Sequence, residues 1–110
     1  MSGANANAKG GAGAGEPDRV PVPLPHVCAA YIDDEAVLYD VARARPVLLN
    51  VTASAVWAAI DGERTVAEIT SMLAELYGAD EPTVRPGVTS TLVSFDELGL
   101  LQGVPPSSVT

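Results

Sequence analysis

The hydrophobic period of this chain changes once, at Asn50, and that single change limits the folds open to it. Ahead of Asn50, residues 26–32 (HVCAAYI) and 36–40 (AVLYD) are short apolar runs rich in β-favouring residues, joined by the polar turn Asp33-Asp34-Glu35. After a second turn at residues 41–45, Pro46-Val47-Leu48-Leu49 forms a third run. Proline donates no ladder hydrogen bond, so Pro46 belongs at a strand start or an edge. Three short strands linked by tight turns predict an antiparallel meander.

Past Asn50 the spacing is helical. Ala53, Val56, Trp57 and Ile60 share one face, with Asn50 or Thr52 as cap and Asp61-Gly62 as stop. Thr65-Val-Ala-Glu68 is a capping box, followed by the stripe Val66, Ile69, Met72, Leu73 and Leu76 and by Gly78. Asp80 or Glu81 and Pro82 open a third helix, in which Val84, Val88, Leu92, Phe95 and Leu98 recur at helical spacing. Pro86-Gly87 predicts a kinked or frayed first turn, or a start near Pro86. The reading is an α+β domain, a three-stranded antiparallel β-meander followed by three α-helices, resembling a winged helix-turn-helix.

The ends read differently. Five of the ten glycines lie within residues 1–15, and Pro17, Pro21, Pro23 and Pro25 follow. Residues 1–25 are therefore expected to be a disordered tail, residues 103–110 a second flexible tail, and residues 26–102 the folded domain. The first tail balances Lys9 and Arg19 against Glu16 and Asp18, so the net charge of −8 sits on the folded part. Duplex-binding domains rely on basic faces for phosphate neutralisation, so nucleic acid and anionic membranes are disfavoured as partners. The chain shows no secretory signal and no apolar stretch long enough to span a bilayer, which points to a cytoplasmic protein.

Catalytic and metal chemistry find little footing. One histidine, His26, and one cysteine, Cys28, leave no nucleophile–base set, no disulfide and no metal-ligand spacing. Cys28 is read as a small buried apolar residue, His26 as incidental, Trp57 as a core anchor, and the acids 33–35 as a solvated turn. No cofactor is expected.

A family resemblance rests on particular residues. Leu48-Leu49-Asn50-x-Thr52-Ala53-x-x-Val56-Trp57-x-x-Ile60-Asp61-Gly62-x-Arg64-Thr65-Val66-x-Glu68-Ile69 resembles the coenzyme PQQ synthesis protein D family. Residues 34–40, Leu73-Ala74-x-x-Tyr77-Gly78-x-Asp80 and Leu98-Gly99-Leu100-Leu101 fit the same pattern, which spans residues 24–102. The resemblance implies a non-catalytic peptide chaperone, or RiPP recognition element. Such a protein binds the leader of a ribosomally synthesised precursor peptide and presents it to a modifying enzyme. That enzyme is often a radical SAM enzyme, or a leader protease in lasso-peptide pathways. The leader typically adds as a strand beside the third strand and against the third helix. Pro86-Gly87 departs from the family, which more often carries an acid and an aliphatic residue there.

A bare strand edge can accept an extended peptide through its free N–H and C=O groups. The expected peptide-binding set is Arg45, Pro46, Val47, Leu48 and Leu49 on the third strand with Arg85, Val88, Thr89 and Leu92 on the third helix. Arg45 and Arg85 are candidate partners for leader carboxylates. Val47 and Leu49 share one strand face and Pro46 and Leu48 the other, and either pair can face inward. Two other classes remain in view. A DNA-binding winged-helix regulator needs base-reading side chains, but residues 65–77 contain no Lys, Arg, Asn or Gln. A structural subunit of a modifying enzyme would leave leader affinity unchanged. The chain is expected as a monomer, or as a dimer through its strand edge or a domain swap.

Overall fold

The computed structural model describes residues 14–102. The flexible ends expected at residues 1–13 and 103–110 lie outside the described residues. Strands β1 (Val27–Ile32), β2 (Glu35–Asp40) and β3 (Arg45–Leu48) precede helices α1 (Val51–Ala59), α2 (Val66–Tyr77) and α3 (Glu81–Glu97). The sheet is antiparallel in the order β1-β2-β3, which leaves one side of β3 unpaired. The expected α+β architecture is therefore present.

Alternation decides which sheet face is covered. Leu38 pairs with Val47 and Asp40 with Arg45, so these residues share a face with Ala36 and Leu49. That face lies on the helices and carries the buried Ala36, Leu38, Asp40 and Leu49. The core continues through Val56 and Trp57 of α1, Ile69 and Leu73 of α2, Val88, Leu92 and Phe95 of α3, and Leu100 and Leu101. Trp57 meets Phe95 edge to face, with centroids 5.3 Å apart, the favoured arrangement for two aromatic quadrupoles. The opposite face carries Cys28 and Ile32 of β1, Tyr39 of β2, and Pro46 and Leu48 of β3, all exposed. Cys28 is thus not buried as expected: its register opposite Tyr39 turns it away from the helices.

Side-chain caps close the starts of α1 and α2, whereas α3 has none. Asn50 Oδ1 accepts the Ala53 N–H at 2.8 Å. Thr65 Oγ1 accepts the Glu68 N–H at 3.2 Å while Glu68 Oε1 accepts the Thr65 N–H at 2.8 Å, closing the expected capping box. Helix α3 runs unbroken from Glu81 through Pro86-Gly87, with Asp80 at the N-cap position, rather than starting near Pro86. Pro86 lies on the exposed side in the second turn. The carbonyl it leaves without a partner, four residues back at the exposed Pro82, faces water, so the loss is small. Gly99 ends the helix region at φ 71°, and the Arg43 guanidinium lies 3.1 Å from where its Cβ would stand.

Residues 14–25, expected within the tail, instead form a strap across α2 and α3. Val66 N–H donates to Arg19 O at 2.8 Å and Ala67 N–H to Pro17 O at 3.1 Å, so the strap satisfies the first two free donors of α2. Arg19 grips Asp96 of α3 through two bonds of 2.7 and 2.8 Å. Farther on, Leu24 N–H donates to Leu100 O, Gln102 N–H donates to Val22 O, and Pro21 is buried. Prolines pre-set φ, so this segment has less backbone freedom to lose than its turn-rich composition suggests.

Two substitutions test these joints. Ser54 Oγ accepts the Ala36 N–H at 2.7 Å and donates to Leu49 O, tying α1 to β2 and to the end of β3 in a buried setting. Ser54→Ala leaves those groups without partners and is expected to lower stability by about 1–3 kcal/mol in a denaturant titration. Arg19→Ala is expected to cost about 1.5–3 kcal/mol, the range for hydrogen bonds to charged groups. At about 4–8 °C per kcal/mol for a domain of this size, both losses are readable as a drop in Tm.

Candidate peptide-binding groove

The free edge of β3 can be read group by group. Leu49 N–H donates to Ala36 O at 2.9 Å, so Leu49 and, two residues back, Val47 direct their main-chain groups to β2. Leu48 therefore directs its N–H and C=O outward, and Pro46 directs its C=O outward. Pro46 has no N–H, so Leu48 supplies the only amide donor that β3 presents on this edge. Its side chain is 76% exposed, and no described residue covers it.

Helix α3 runs antiparallel to β3 across a groove. At one end Arg45 Nη2 donates to Leu98 O at 2.6 Å. At the other, Thr52, just past β3, shares a pocket of about 240 Å³ with Thr83, Val84, Gly87 and Val88 of α3 and with Leu73 and Tyr77 of α2. Helical geometry puts Gly87, Thr91, Ser94 and Leu98 on the α3 stripe between these ends. Val88, Leu92 and Phe95 form the adjoining stripe and are buried.

The expected site residues divide along these lines. Pro46 and Leu48 are exposed at the edge, while Val47 is half-buried and Leu49 buried beneath it. Val88 and Leu92 belong to the core. Arg85 and Thr89 lie on the far side of α3. Arg85 lines a cavity with Gly15 and Pro17 of the strap, and a Cβ on Gly15 would clash with Thr89. The edge and these two residues are not brought together. The stripe of Gly87, Thr91, Ser94 and Leu98 was not singled out by sequence, because the strap that occupies the other side of α3 reads there as tail.

Arg45 is held inward. Asp40, fully buried, accepts from Arg43 Nη1 at 2.8 Å and from Arg45 Nη2 at 3.2 Å, with His26 Nε2 3.5 Å away. Hydrogen bonding from Arg43 holds the Asp40 carboxyl below its usual range, against the opposing effect of burial. Asp61 is also lowered, by hydrogen bonds from the Arg64 and Glu63 N–H groups in the α1–α2 turn.

The domain is thus an α+β unit of winged helix-turn-helix type with one open sheet edge facing a helix. The family model of Coenzyme PQQ synthesis protein D (PqqD) matches residues 35–101, and the chain belongs to that family. Among solved structures it is similar to TbiB1 in complex with the TbiA(beta) leader peptide. That likeness has TM-score 0.68 and 27% identity, and covers 74% of this chain and 95% of that one. It is also similar in fold to a lasso peptide synthetase B1 complexed with its leader peptide. There the TM-score is 0.67 at 19% identity, covering 77% of this chain and 100% of that one. No curated protein matches it in sequence.

The Asp40 cluster predicts a pH dependence. A carboxyl with a lowered folded pKa binds fewer protons folded than unfolded, so it adds stability above its unfolded value of about 4 and loses it as pH falls through the folded value. Tm is expected to be flat near neutrality and to fall below about pH 4. Asp40→Asn should lower Tm at pH 7 and flatten the acid limb; an acid limb unchanged by the substitution would assign it to other groups.

Proposed function

We propose that this chain is a non-catalytic peptide chaperone, which binds the leader of a ribosomally synthesised precursor peptide and presents it to a modifying enzyme. The observation that carries the reading is the open β3 edge at Leu48 and Pro46, set across a groove from α3. Family membership supports it, as does the leader-bound neighbour at 27% identity.

In this reading the leader adds as a strand. One leader residue exchanges main-chain bonds with Leu48, and a leader N–H reaches Pro46 O. Alternate leader side chains then face the groove and the α3 stripe, and an apolar one fills the pocket beside Gly87. The residues between face outward beside Leu48. The contact set becomes Pro46, Val47, Leu48 and Leu49 with Gly87, Thr91, Ser94 and Leu98, while Arg45 holds one end of the groove in place. The partner enzyme is a radical SAM enzyme or a lasso-peptide protease or cyclase, and the genes beside this one distinguish them. No helix among the described residues is long and apolar enough to cross a membrane, and the proposed setting is the cytoplasm. A second copy pairing through β3 would compete with the leader for the same edge.

Leu48→Pro is a selective test, because its N–H points away from β2 and proline is tolerated at such an edge position. Tm should change little. Affinity for the leader of the neighbouring precursor, measured by calorimetry, should fall about tenfold, the worth of one strand hydrogen bond. Gly87→Trp, filling the end pocket, should weaken it further. Leader binding unaltered by both substitutions would sink the strand-addition reading.

A further inference from the structure

A second surface, away from the β3 edge, has the makeup of a docking site. Helix α1 (VTASAVWAA) has no charged residue. A largely apolar helix is normally well covered, yet Val51 and Ala58 are exposed. The neighbouring side of α2 repeats the pattern: Met72 and, one turn on, Leu76 are exposed, Leu76 by 67%. Between the helices runs a groove of about 480 Å³ whose walls are Ala55, Ala58, Met72 and Leu76, with Glu75 on its rim. It continues along α1 past Ser54 and Val51 to Tyr31, Asp33 and Asp34 of the β1–β2 hairpin.

The charge around this groove is of one sign. Glu75, Asp33 and Asp34 border it, and no Lys, Arg or His lines either part. None of the three acids takes part in the ion pairs among the described residues, where the arginines face Asp40, Asp61 and Asp96. The backbone walls are helical, so they offer no free edge for strand addition. An occupant must satisfy its own backbone, and therefore enters as a helix.

We infer that the α1–α2 groove docks an amphipathic helix of the peptide-processing enzyme, with aliphatic anchors one turn apart and Lys or Arg at its flanks. The inference rests on the peptide-chaperone reading for the identity of the partner, and on the groove's shape and charge for the kind of helix. Other occupants fit less well. A second copy related by a two-fold axis would set acid against acid. Residues 103–110 hold two prolines and no base, and residues 1–13 hold one lysine and no Leu, Ile or Phe anchor. An anionic membrane meets the same acidic rim. The groove adjoins the end pocket assigned to the leader at Leu73 and Tyr77, but none of its lining residues belongs to β3, so one chain can hold leader and enzyme side by side.

The test uses the full-length chain, the neighbouring leader peptide and the purified processing enzyme encoded beside this chain. Leu76→Glu and Ala58→Glu change exposed positions and should leave Tm unchanged and leader affinity within twofold. Each should weaken enzyme binding at least tenfold. Asp34→Lys with Glu75→Lys should weaken it severalfold and reduce its dependence on salt. Enzyme binding by Leu76→Glu equal to that of the parent chain overturns the inference, as does a parent chain that fails to bind the enzyme. Sedimentation showing a dimer that Leu76→Glu dissolves would assign the groove to self-association and overturn it too. Amide shifts at Met72 and Leu76 on deleting residues 103–110 would assign the groove to the tail and overturn it in the same way. Failure of the parent chain to bind the leader counts against the chaperone reading alone, because enzyme binding is measured separately.

Discussion

The buried carboxylate of Asp40 is the constraint on which the groove depends. It closes β2 at the point where the chain turns into β3, and it is fully buried. An unpaired charge there would be costly, so the fold gathers Arg43 and Arg45 around it and brings His26 to 3.5 Å. Arg45 also reaches across the groove, because the same Nη2 donates to Leu98 O at the end of α3. A strand start and a helix end are thereby tied through one guanidinium. Arg43 lies over Gly99, whose missing side chain makes room for it. The spacing between β3 and α3 is fixed at this end by the Arg45–Leu98 hydrogen bond together with the packing of Val47 and Leu98 on the core.

That arrangement explains which parts of the molecule could be read from its sequence. The three strands, the Thr65–Glu68 capping box and the Gly78 stop are local signals, whereas α1 ends at an extended Ile60 ahead of Gly62. Each of those signals depends on residues within a turn or two, and each was legible. The inward role of Arg45 depends on Asp40, five residues away, and on Leu98, fifty-three residues away. No local pattern distinguishes such an arginine from a free one. Arg85, assigned the same role from sequence, is exposed but turned to the strap side.

The strap shows a second limit of local reading. Glycine and proline counts describe what a segment loses on ordering but not what it gains on docking. Here two α2 donors, a bidentate ion pair with Asp96 and a buried Pro21 reward the ordering of residues 14–25. Once the strap covers the Thr89 side of α3, only the Gly87–Leu98 stripe remains to face β3. The placement of Arg85 and Thr89 away from the β3 edge thus follows from the strap packed on that side of α3, not from a change in the helix period.

The charge distribution then separates the surfaces. The arginines of the described chain, apart from Arg85, are drawn to Asp40, Asp61 and Asp96. The unpaired acids are left to define the outer field, and a negative field speeds the approach of basic partners while opposing phosphate backbones. A winged-helix scaffold that reads DNA needs positive charge on its recognition helix, whereas α2 carries none and presents Met72 and Leu76 instead. The scaffold has in effect exchanged a polyanion surface for apolar ones. The β3 edge offers main-chain hydrogen bonds and suits an extended chain. The α1–α2 face has its backbone satisfied and suits a helix. The two surfaces have different hydrogen-bonding demands and meet only at Leu73 and Tyr77, so an extended chain on the β3 edge leaves the α1–α2 face open.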